Sequence, residues 1–168
     1  MLTVRRTVQE DLPRVMEIYA YAREQMKLNG NPTQWGDSHP AQSIIESDIE
    51  NGTGYVCVDE QGEVVGCFAL FFGADPTYAV IDQGEWHSDK PYATIHRIAA
   101  GKGSHGVLKT AIAFAESQID YLRIDTHANN AAMNAAVQKY GFQYCGIIYL
   151  ANGDPRNAYD KTNFSQTV

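Results

Sequence analysis

The amino-acid sequence predicts an α+β fold in which a mixed sheet carries helices on both faces. Segments with strand and helix patterns follow in the order strand, two helices, four strands, helix, strand, helix, strand, strand. Four consecutive strands argue against a doubly wound parallel sheet, which needs strands and helices in regular alternation. A length of 168 residues fits a single domain, residues 1–168, with a core of its own.

The first third of the chain predicts one strand and two helices. Residues 2–6 alternate in polarity, as in a short edge strand. Thr7 and Glu10 have the spacing of a capping box, so a helix is expected to begin there. That helix should end within residues 29–32, which contain Gly and Pro. A polar loop then leads to a second helix at residues 41–50.

The middle of the chain predicts four strands. The apolar runs at residues 55–58 and 64–72 are separated by a short Gly-containing turn, which indicates a hairpin. A stretch rich in Gly, Pro and Asp follows, and it contains one short predicted strand at residues 78–81. Residues 92–99 predict the fourth strand, which leads into a cluster of glycines.

The last third of the chain alternates between helices and strands. Apolar residues at core spacing predict a helix over residues 107–118, and residues 121–126 predict a strand. A further helix at residues 130–140 stops at a glycine in the position favoured for a C-terminal cap. Two strands close the chain, at residues 142–150 and 157–161, with a turn between them.

The composition indicates a globular protein with an acidic surface. The net charge is −7 and the isoelectric point is about 5.1. An acidic surface repels phosphate backbones, so we expect no nucleic-acid partner. Residues 1–6 lack the apolar core of a signal peptide, and no apolar run approaches the length of a membrane span. We therefore expect a cytoplasmic protein without a membrane partner.

The three cysteines are predicted to be buried free thiols. Cys57, Cys67 and Cys145 are an odd number and widely spaced, and no pair has metal-ligand spacing. Buried thiols fit a reducing compartment. We expect no metal site.

The segment from Thr94 to Ala115 contains the pattern that points to a function. A predicted strand feeds a predicted helix through Gly101, Gly103 and Gly106. Such a link points unpaired backbone N–H groups and the positive end of the helix dipole at one space, which suits a phosphate or pyrophosphate. The same glycines spell G-x-G-x-x-G, but a dinucleotide fold expects that motif in an early strand–helix unit. A loop that merely turns the chain is the other interpretation.

This segment resembles the pyrophosphate motif of the GNAT N-acetyltransferase superfamily. That family follows its fourth strand with Q/R-x-x-G-x-G/A, and the best placement puts residues 103–108 on the motif. Gly106 then matches the first conserved glycine, whereas Gly103 and Leu108 depart from the pattern. The resemblance implies a mostly antiparallel central sheet of six to seven strands.

Three further matches support the resemblance, in chain order. Residues 96–99 resemble the end of the family's fourth strand, and residues 123–127 resemble its fifth. Residues 130–133 and 139–142 resemble the helix and the Gly-Phe step that close the cofactor groove. The resemblance spans nearly the whole chain.

The resemblance implies acetyl-CoA as the acyl donor. The residues expected to contact it come from the fourth strand, the glycine loop, the following helix and the later asparagine. They are Ile98, Ala99, Gly103, Ser104, His105, Gly106, Val107, Leu108, Lys109 and Asn130.

The implied reaction is direct attack of a substrate amine on the thioester carbonyl, with a base and an acid to move protons. Many family members place a catalytic Tyr four residues before the Gly of the Gly-Phe step, where this chain has Val137. We therefore do not transfer that role. His96 and Glu85 are the candidate bases, and Tyr149 is the candidate acid. The thiolate leaving without help is the alternative.

The acceptor is expected to be a primary amine of a small molecule or a peptide. Tyr21, Trp35 and Trp86 are the candidate acceptor-binding residues. Arg97 is expected to form a structural ion pair, and Asp125 to act as a fold-stabilising acceptor. A homodimer is consistent with the superfamily.

Two other functions stay open. One is a non-catalytic CoA-binding or regulatory module, which gains weight from Leu108 and Val137. The other is a transferase with a different acyl donor or an O-linked acceptor.

Overall fold

The computed structural model describes residues 1–164, which contain four α-helices and seven strands. The helices are α1 (Leu12–Leu28), α2 (Gln42–Asn51), α3 (Val107–Glu116) and α4 (Ala131–Lys139). The strands are β1 (Thr3–Arg6), β2 (Gly54–Val58), β3 (Val64–Phe72), β4 (Ala93–Ala100), β5 (Tyr121–Thr126), β6 (Gln143–Tyr149) and β7 (Pro155–Thr162). None of the helices in this part of the chain has the length and apolar character needed to cross a membrane.

All seven strands belong to one sheet, in the order β1-β2-β3-β4-β5-β7-β6. The pairs β1–β2, β2–β3, β5–β7 and β6–β7 are antiparallel. Strands β4 and β5 are parallel, and their pairing is confined to Ala93–Leu122 and Thr94–Arg123. The predicted α+β class and the mixed, mostly antiparallel sheet are confirmed.

Two local predictions were wrong. The strand expected at residues 78–81 is absent, and a 3-10 helix occupies Pro76–Tyr78 instead. Proline favours this turn, and the Asp75 side chain caps it by accepting a hydrogen bond from the Thr77 N–H at 2.9 Å. The predicted Thr7–Glu10 capping box is also shifted, because the carboxylate of Asp11 accepts the hydrogen bond from the Val8 N–H at 2.8 Å.

The chain divides into two compact units. The first unit comprises Met1–Phe71 and Ile95–Phe114, and the second comprises Phe72–Thr94 and the described residues from Ala115 onward. Each unit has a core of its own.

In the first unit, helices pack on both faces of the sheet. Val56 and Cys67 are paired across β2 and β3 and belong to one core cluster with α1 and α2. The neighbouring pair, Tyr55 and Phe68, stacks at 5.5 Å and contacts Phe114 of α3. Successive side chains of a strand point to opposite faces, so α3 lies opposite α1 and α2.

The second unit has an aromatic core that encloses a cation. The guanidinium of Arg123 lies 4.1 Å from the Trp86 ring centre and 4.0 Å from that of Tyr92. It also donates hydrogen bonds to the Ser88 carbonyl and the Tyr121 hydroxyl. Buried charge is tolerated here because aromatic faces and hydrogen bonds replace its water.

Candidate functional site

The glycine loop between β4 and α3 is tied to the sheet at one end and open at the other. The Gly101 N–H donates to the Val65 carbonyl at 2.8 Å. Gly103 and Gly106 have left-handed backbones, with φ of +74° and +82°. A Cβ at either position would meet no atom within 4 Å, so the space beside both residues is free. The predicted loop therefore presents bare backbone to its surroundings.

The start of α3 lies very close to β3. Gly66 makes this approach feasible, since a Cβ there would lie 2.6 Å from Cγ1 of the buried Val107. The Gly106 carbonyl accepts the hydrogen bond from the Thr110 N–H at 2.9 Å, so the helical turns begin at once. The first N–H groups of a helix have no acceptor within it and carry partial positive charge. Loop and helix start thus form a backbone cradle suited to an anion.

The segment of the chain that forms this cradle carries no acidic side chain. No Asp or Glu occurs from residue 91 to residue 115, although the whole chain carries a net charge of −7. Lys102, His105 and Lys109 are exposed on the loop and the first turn of α3, while Ser104 and Leu108 are half-buried. The local electrostatics favour an anionic ligand.

Strand β4 is distorted at Arg97, whose φ of +50° is rare for a residue with a side chain. Two contacts hold it there. The Tyr19 hydroxyl of α1 donates to the Arg97 carbonyl at 2.7 Å. The Arg97 Nη2 donates to Asp48 Oδ2 of α2 at 2.6 Å, between side chains that are only 16% and 10% exposed. The predicted ion-pair role of Arg97 is confirmed.

His96 precedes this distortion and is half-buried, with its ring 5.6 Å from the Phe71 ring at an edge-on angle. Ile98 and Ala99 follow in β4, and Ala99 packs into the core with α1. The candidate base and these two predicted cofactor contacts therefore lie on one short stretch of strand that leads into the cradle.

Of the two acceptor-side residues in the first unit, Trp35 is linked to the Arg97 distortion through Tyr19. Its ring packs edge-on against Tyr19 at 5.6 Å, which in turn holds the Arg97 carbonyl. Tyr21 is half-buried on α1, two residues beyond Tyr19. Residues two apart on a helix do not share a face, so Tyr21 lies on a different face of α1 from Tyr19.

The second unit contains the other candidates. Glu85 is exposed, whereas the neighbouring Trp86 is packed, with its indole N–H donating to the Tyr78 carbonyl at 2.9 Å. Tyr149 is 39% exposed, and a hydrogen bond to Asp82 raises the pKa of its hydroxyl. Asn130 caps α4 through its side-chain oxygen, which accepts from the Met133 N–H.

Three further expectations concern residues outside the catalytic set. Val137 is completely buried in the core, as an aliphatic residue in that position should be. Asp125 accepts a hydrogen bond from the buried Tyr78 hydroxyl at 2.6 Å, so its predicted role as a fold-stabilising acceptor is confirmed. The three cysteines are buried and free, as predicted.

Sequence patterns did not reveal the contact set around Arg97. Tyr19 and Asp48 are 78 and 49 residues away from it along the chain. Tyr19 fits a core position of an amphipathic helix, and nothing in its local sequence marks its hydroxyl as a clamp. Only the arrangement of α1 and α2 against β4 shows it.

Comparison with known proteins identifies the family. Residues 1–143 match the model of the acetyltransferase (GNAT) domain. A GNAT-family acetyltransferase from Streptococcus agalactiae 2603 has a TM-score of 0.88 at 29% identity, over 98% of this chain and 96% of that one. No curated protein sequence matches the chain.

Two more distant structures share the fold. A GNAT-family acetyltransferase from Listeria monocytogenes 4b F2365 has a TM-score of 0.70 at 22% identity, over 96% of this chain and 94% of that one. A ribosomal-protein-alanine N-acetyltransferase from Brucella melitensis has a TM-score of 0.64 at 19% identity, over 95% and 99%. Because the family model covers residues 1–143 of 168, the chain belongs to the GNAT family and is an acyltransferase.

Proposed function

We propose that this acyltransferase moves an acetyl group from acetyl-CoA to a primary amine of a small molecule or peptide. The observation that carries the proposal is the bare backbone cradle formed by Gly103, Gly106 and the first turn of α3. GNAT enzymes generally use acetyl-CoA, and its pyrophosphate is the kind of group that such a cradle binds. The absence of acidic residues from 91 to 115 supports the same choice.

The residues of the loop fit the proposed donor. Backbone N–H groups between Gly103 and Leu108 would contact the pyrophosphate, except that of Ser104, which donates to the Gly101 carbonyl at 3.1 Å. The exposed Lys109 would add a positive charge beside them. Ile98 and Ala99 would pair with the pantetheine arm as a strand pairs with its neighbour. Asn130 of the second unit stays a predicted contact.

Acetyl-CoA supplies a thioester, whose carbonyl carbon is open to attack. The amine nitrogen forms a bond to that carbon, the carbon–sulfur bond breaks, and the sulfur leaves as a thiolate. Backbone N–H groups of β4 beside the distorted Arg97 are suited to polarise the carbonyl oxygen, since a distorted strand frees donors from its ladder.

The acceptor nitrogen loses two protons, one before it attacks and one as the amide forms, and the leaving thiolate takes up one. The ammonium proton of the acceptor goes to a base, for which we propose His96 or Glu85. The thiolate takes a proton from an acid, for which we propose Tyr149. The raised pKa of Tyr149, caused first by its hydrogen bond to Asp82, keeps this phenol protonated, which is the form that an acid requires. Trp35, Tyr21 and Trp86 stay the proposed acceptor contacts.

The cofactor assignment is tested with two isosteric variants, Gly106→Asn and Gly106→Asp. Asn and Asp have the same shape, and both tolerate the left-handed backbone at this position. The aspartate alone adds a negative charge against the pyrophosphate. Calorimetry with CoA should show Gly106→Asp binding at least roughly tenfold more weakly than Gly106→Asn, because like charges about 4 Å apart repel by a few kcal/mol. Equal affinities would contradict the placement of the phosphates.

A thiol-release assay over a panel of amines separates an enzyme from a CoA-binding module. Turnover on any primary amine supports the proposed reaction. Binding of CoA without turnover on any amine favours the non-catalytic alternative. The variants His96→Gln, Glu85→Gln and Tyr149→Phe then identify the proton-transfer groups, because the acting base or acid loses kcat while the others keep it. A cytoplasmic location and a homodimer stay predictions.

A further inference from the structure

A second group of reactive side chains lies in the second unit, and the proposed reaction does not use it. His87 Nδ1 is 2.6 Å from Asp160 Oδ1 and 3.4 Å from Cys145 Sγ. The three donor atoms all lie within 4.8 Å of one another. His87 precedes β4, Cys145 lies in β6 and Asp160 lies in β7, so only the fold brings them together.

A bulge in β6 presents Cys145 to this cluster. Tyr144 is paired with Tyr159 of β7, and Gly146 is paired with the next residue, Ala158, so Cys145 is the extra residue of the pair of strands. A bulge re-aims the side chain of the extra residue, and bulges are frequent beside functional sites. Cys145 therefore has no partner in the ladder between β6 and β7, and the bulge directs its thiol toward the cluster.

The segment before β4 is held against this bulge with unusual closeness. A Cβ on Gly84 would lie 1.8 Å from the Cys145 carbonyl oxygen, so no other residue allows the approach. Asp82 and Ile147 exchange two backbone hydrogen bonds of 2.8 and 2.9 Å. Gln83 has a φ of +59°, which is strained for a residue with a side chain. Together these features fix the segment three residues before His87.

The cluster is not arranged as a nucleophilic triad. In such a triad the histidine contacts the nucleophile and the carboxylate through different ring nitrogens. Here Cys145 and Asp160 both approach Nδ1. The three ligand atoms instead lie close enough together for a single metal ion to bind them all.

We propose that Cys145, His87 and Asp160 form a binding site for a zinc ion. Thiolate sulfur, imidazole nitrogen and carboxylate oxygen are the ligand types of protein zinc, whereas magnesium and calcium prefer oxygen alone. The distance from Sγ to Nδ1, 3.4 Å, already matches two ligands of a tetrahedral ion. Nδ1 and Oδ1 must separate to roughly 3.3 Å, the spacing of two ligands about 2.0 Å from such an ion. The His87 side chain is 40% exposed and is free on its solvent side to make that shift.

The surroundings of the cluster also suit a metal. Asp160 Oδ2 accepts hydrogen bonds from the Tyr121 hydroxyl at 2.7 Å and from the backbone N–H of His87 at 2.8 Å. These hydrogen bonds orient the carboxylate so that Oδ1 faces His87 Nδ1 and Cys145 Sγ. Hydrogen bonds to ligand residues orient the ligands of metal sites in the same way. The exposed side of His87 admits water as the fourth ligand.

Binding is balanced in protons and charge. On binding, the thiol loses its proton to solvent, and the neutral imidazole carries its proton on Nε2, which leaves Nδ1 available to the ion. The thiolate and the carboxylate together offset the two charges of the ion, and the nearby Arg123 keeps its aromatic partners.

Cobalt titration of the full chain tests the proposal, after treatment with a chelator. Cobalt is the probe because a thiolate ligand gives it a charge-transfer band that oxygen and nitrogen ligands do not give. We expect the band at one equivalent of Co²⁺ in the wild-type protein and in the control Cys57→Ser, whose buried thiol lies in the first unit. We expect no band in Cys145→Ser, with circular dichroism to confirm that the variant is folded.

If Cys145→Ser does not fold, the variant His87→Gln provides the test. His87 is exposed, so its replacement should leave the protein folded. Calorimetry should show that His87→Gln binds Zn²⁺ more weakly by at least about tenfold, the loss that even an outer-shell change causes. Absence of the band in the wild-type protein would overturn the proposal. So would equal zinc affinity in the wild-type protein and His87→Gln. Both results are independent of CoA binding and turnover.

Discussion

Removing the Tyr19 hydroxyl should release the distortion of β4 at Arg97. In Tyr19→Phe the ring keeps its packing in the core with α1 and α2, while the hydrogen bond of 2.7 Å to the Arg97 carbonyl is lost. Tyr19 is only 2% exposed, so water has little access to the carbonyl that loses its donor. Burial also raises the pKa of Tyr19 well above its usual value, so the hydroxyl remains a donor across the working pH range.

The expected cost follows from two terms. A buried carbonyl left without a donor costs about 1–3 kcal/mol. The left-handed backbone at Arg97 costs about 1 kcal/mol or more, and this strain persists only while its surroundings enforce it. Relaxation of the strain recovers part of the loss. We therefore expect Tyr19→Phe to lower the free energy of unfolding by about 1–2 kcal/mol.

Urea unfolding followed by far-ultraviolet circular dichroism measures this loss. Tyr21→Phe is the matched control, because it makes the same change on the same helix at a half-buried position. We expect the control to stay within about 0.5 kcal/mol of the wild type, as changes away from specific contacts usually do. Equal unfolding free energies for the two variants would refute the role assigned to the Tyr19 hydroxyl.

Two other variants test separate parts of the structure. Val137→Ala removes two methyl groups from a completely buried position, which should cost about 2 kcal/mol in unfolding free energy. Its turnover should stay near that of the wild type, since valine supplies no proton, and loss of turnover in the folded variant would contradict this. Asp11→Asn keeps the acceptor for the Val8 N–H but loses the ion pair with the half-exposed Arg5, which should cost roughly 1 kcal/mol at neutral pH. The hydrogen bond from Arg5 is the main cause of the lowered pKa of Asp11, so this stabilisation is present above the ordinary value of 3.8 and is lost as pH falls below it. The unfolding free energies of the wild type and Asp11→Asn, measured at several pH values, should converge in acid. A difference that stays constant with pH would contradict the role assigned to the ion pair.

Local patterns predicted the elements that depend on local physics. The strand at residues 64–72 and the strand at residues 121–126 were predicted with the bounds that the structure shows. Helix α3 begins at Val107 as predicted, because the glycines before it set its start. At residues 78–81 the apolar run suggested a strand, but the capped turn at Asp75 and a hydrogen bond from Tyr78 to Asp125, 47 residues away, determine the conformation.

The candidate sites likewise differ in whether they depend on local sequence or on contacts between distant segments. The glycine cradle is contiguous in sequence, so its pattern was visible without a structure. The Tyr19–Arg97–Asp48 contacts and the His87–Cys145–Asp160 cluster join segments that are far apart in the chain. The spacing of residues along the chain does not predict these two groups. They depend on the order of the strands and on the bulge in β6, and neither follows from a local sequence pattern.

The contact between Gly66 and Val107 has a consequence for redesign of this enzyme. The distance of the backbone cradle from the sheet depends on position 66 of β3, where a Cβ would collide with Val107. Any larger residue there would lift or tilt the start of α3, and the N–H groups would turn with it. If residues 103–109 bind the acyl donor as proposed, a library meant to change donor preference should keep residue 66 fixed and vary those positions. The strand sets the distance of the cradle from the sheet, and the loop supplies its lining.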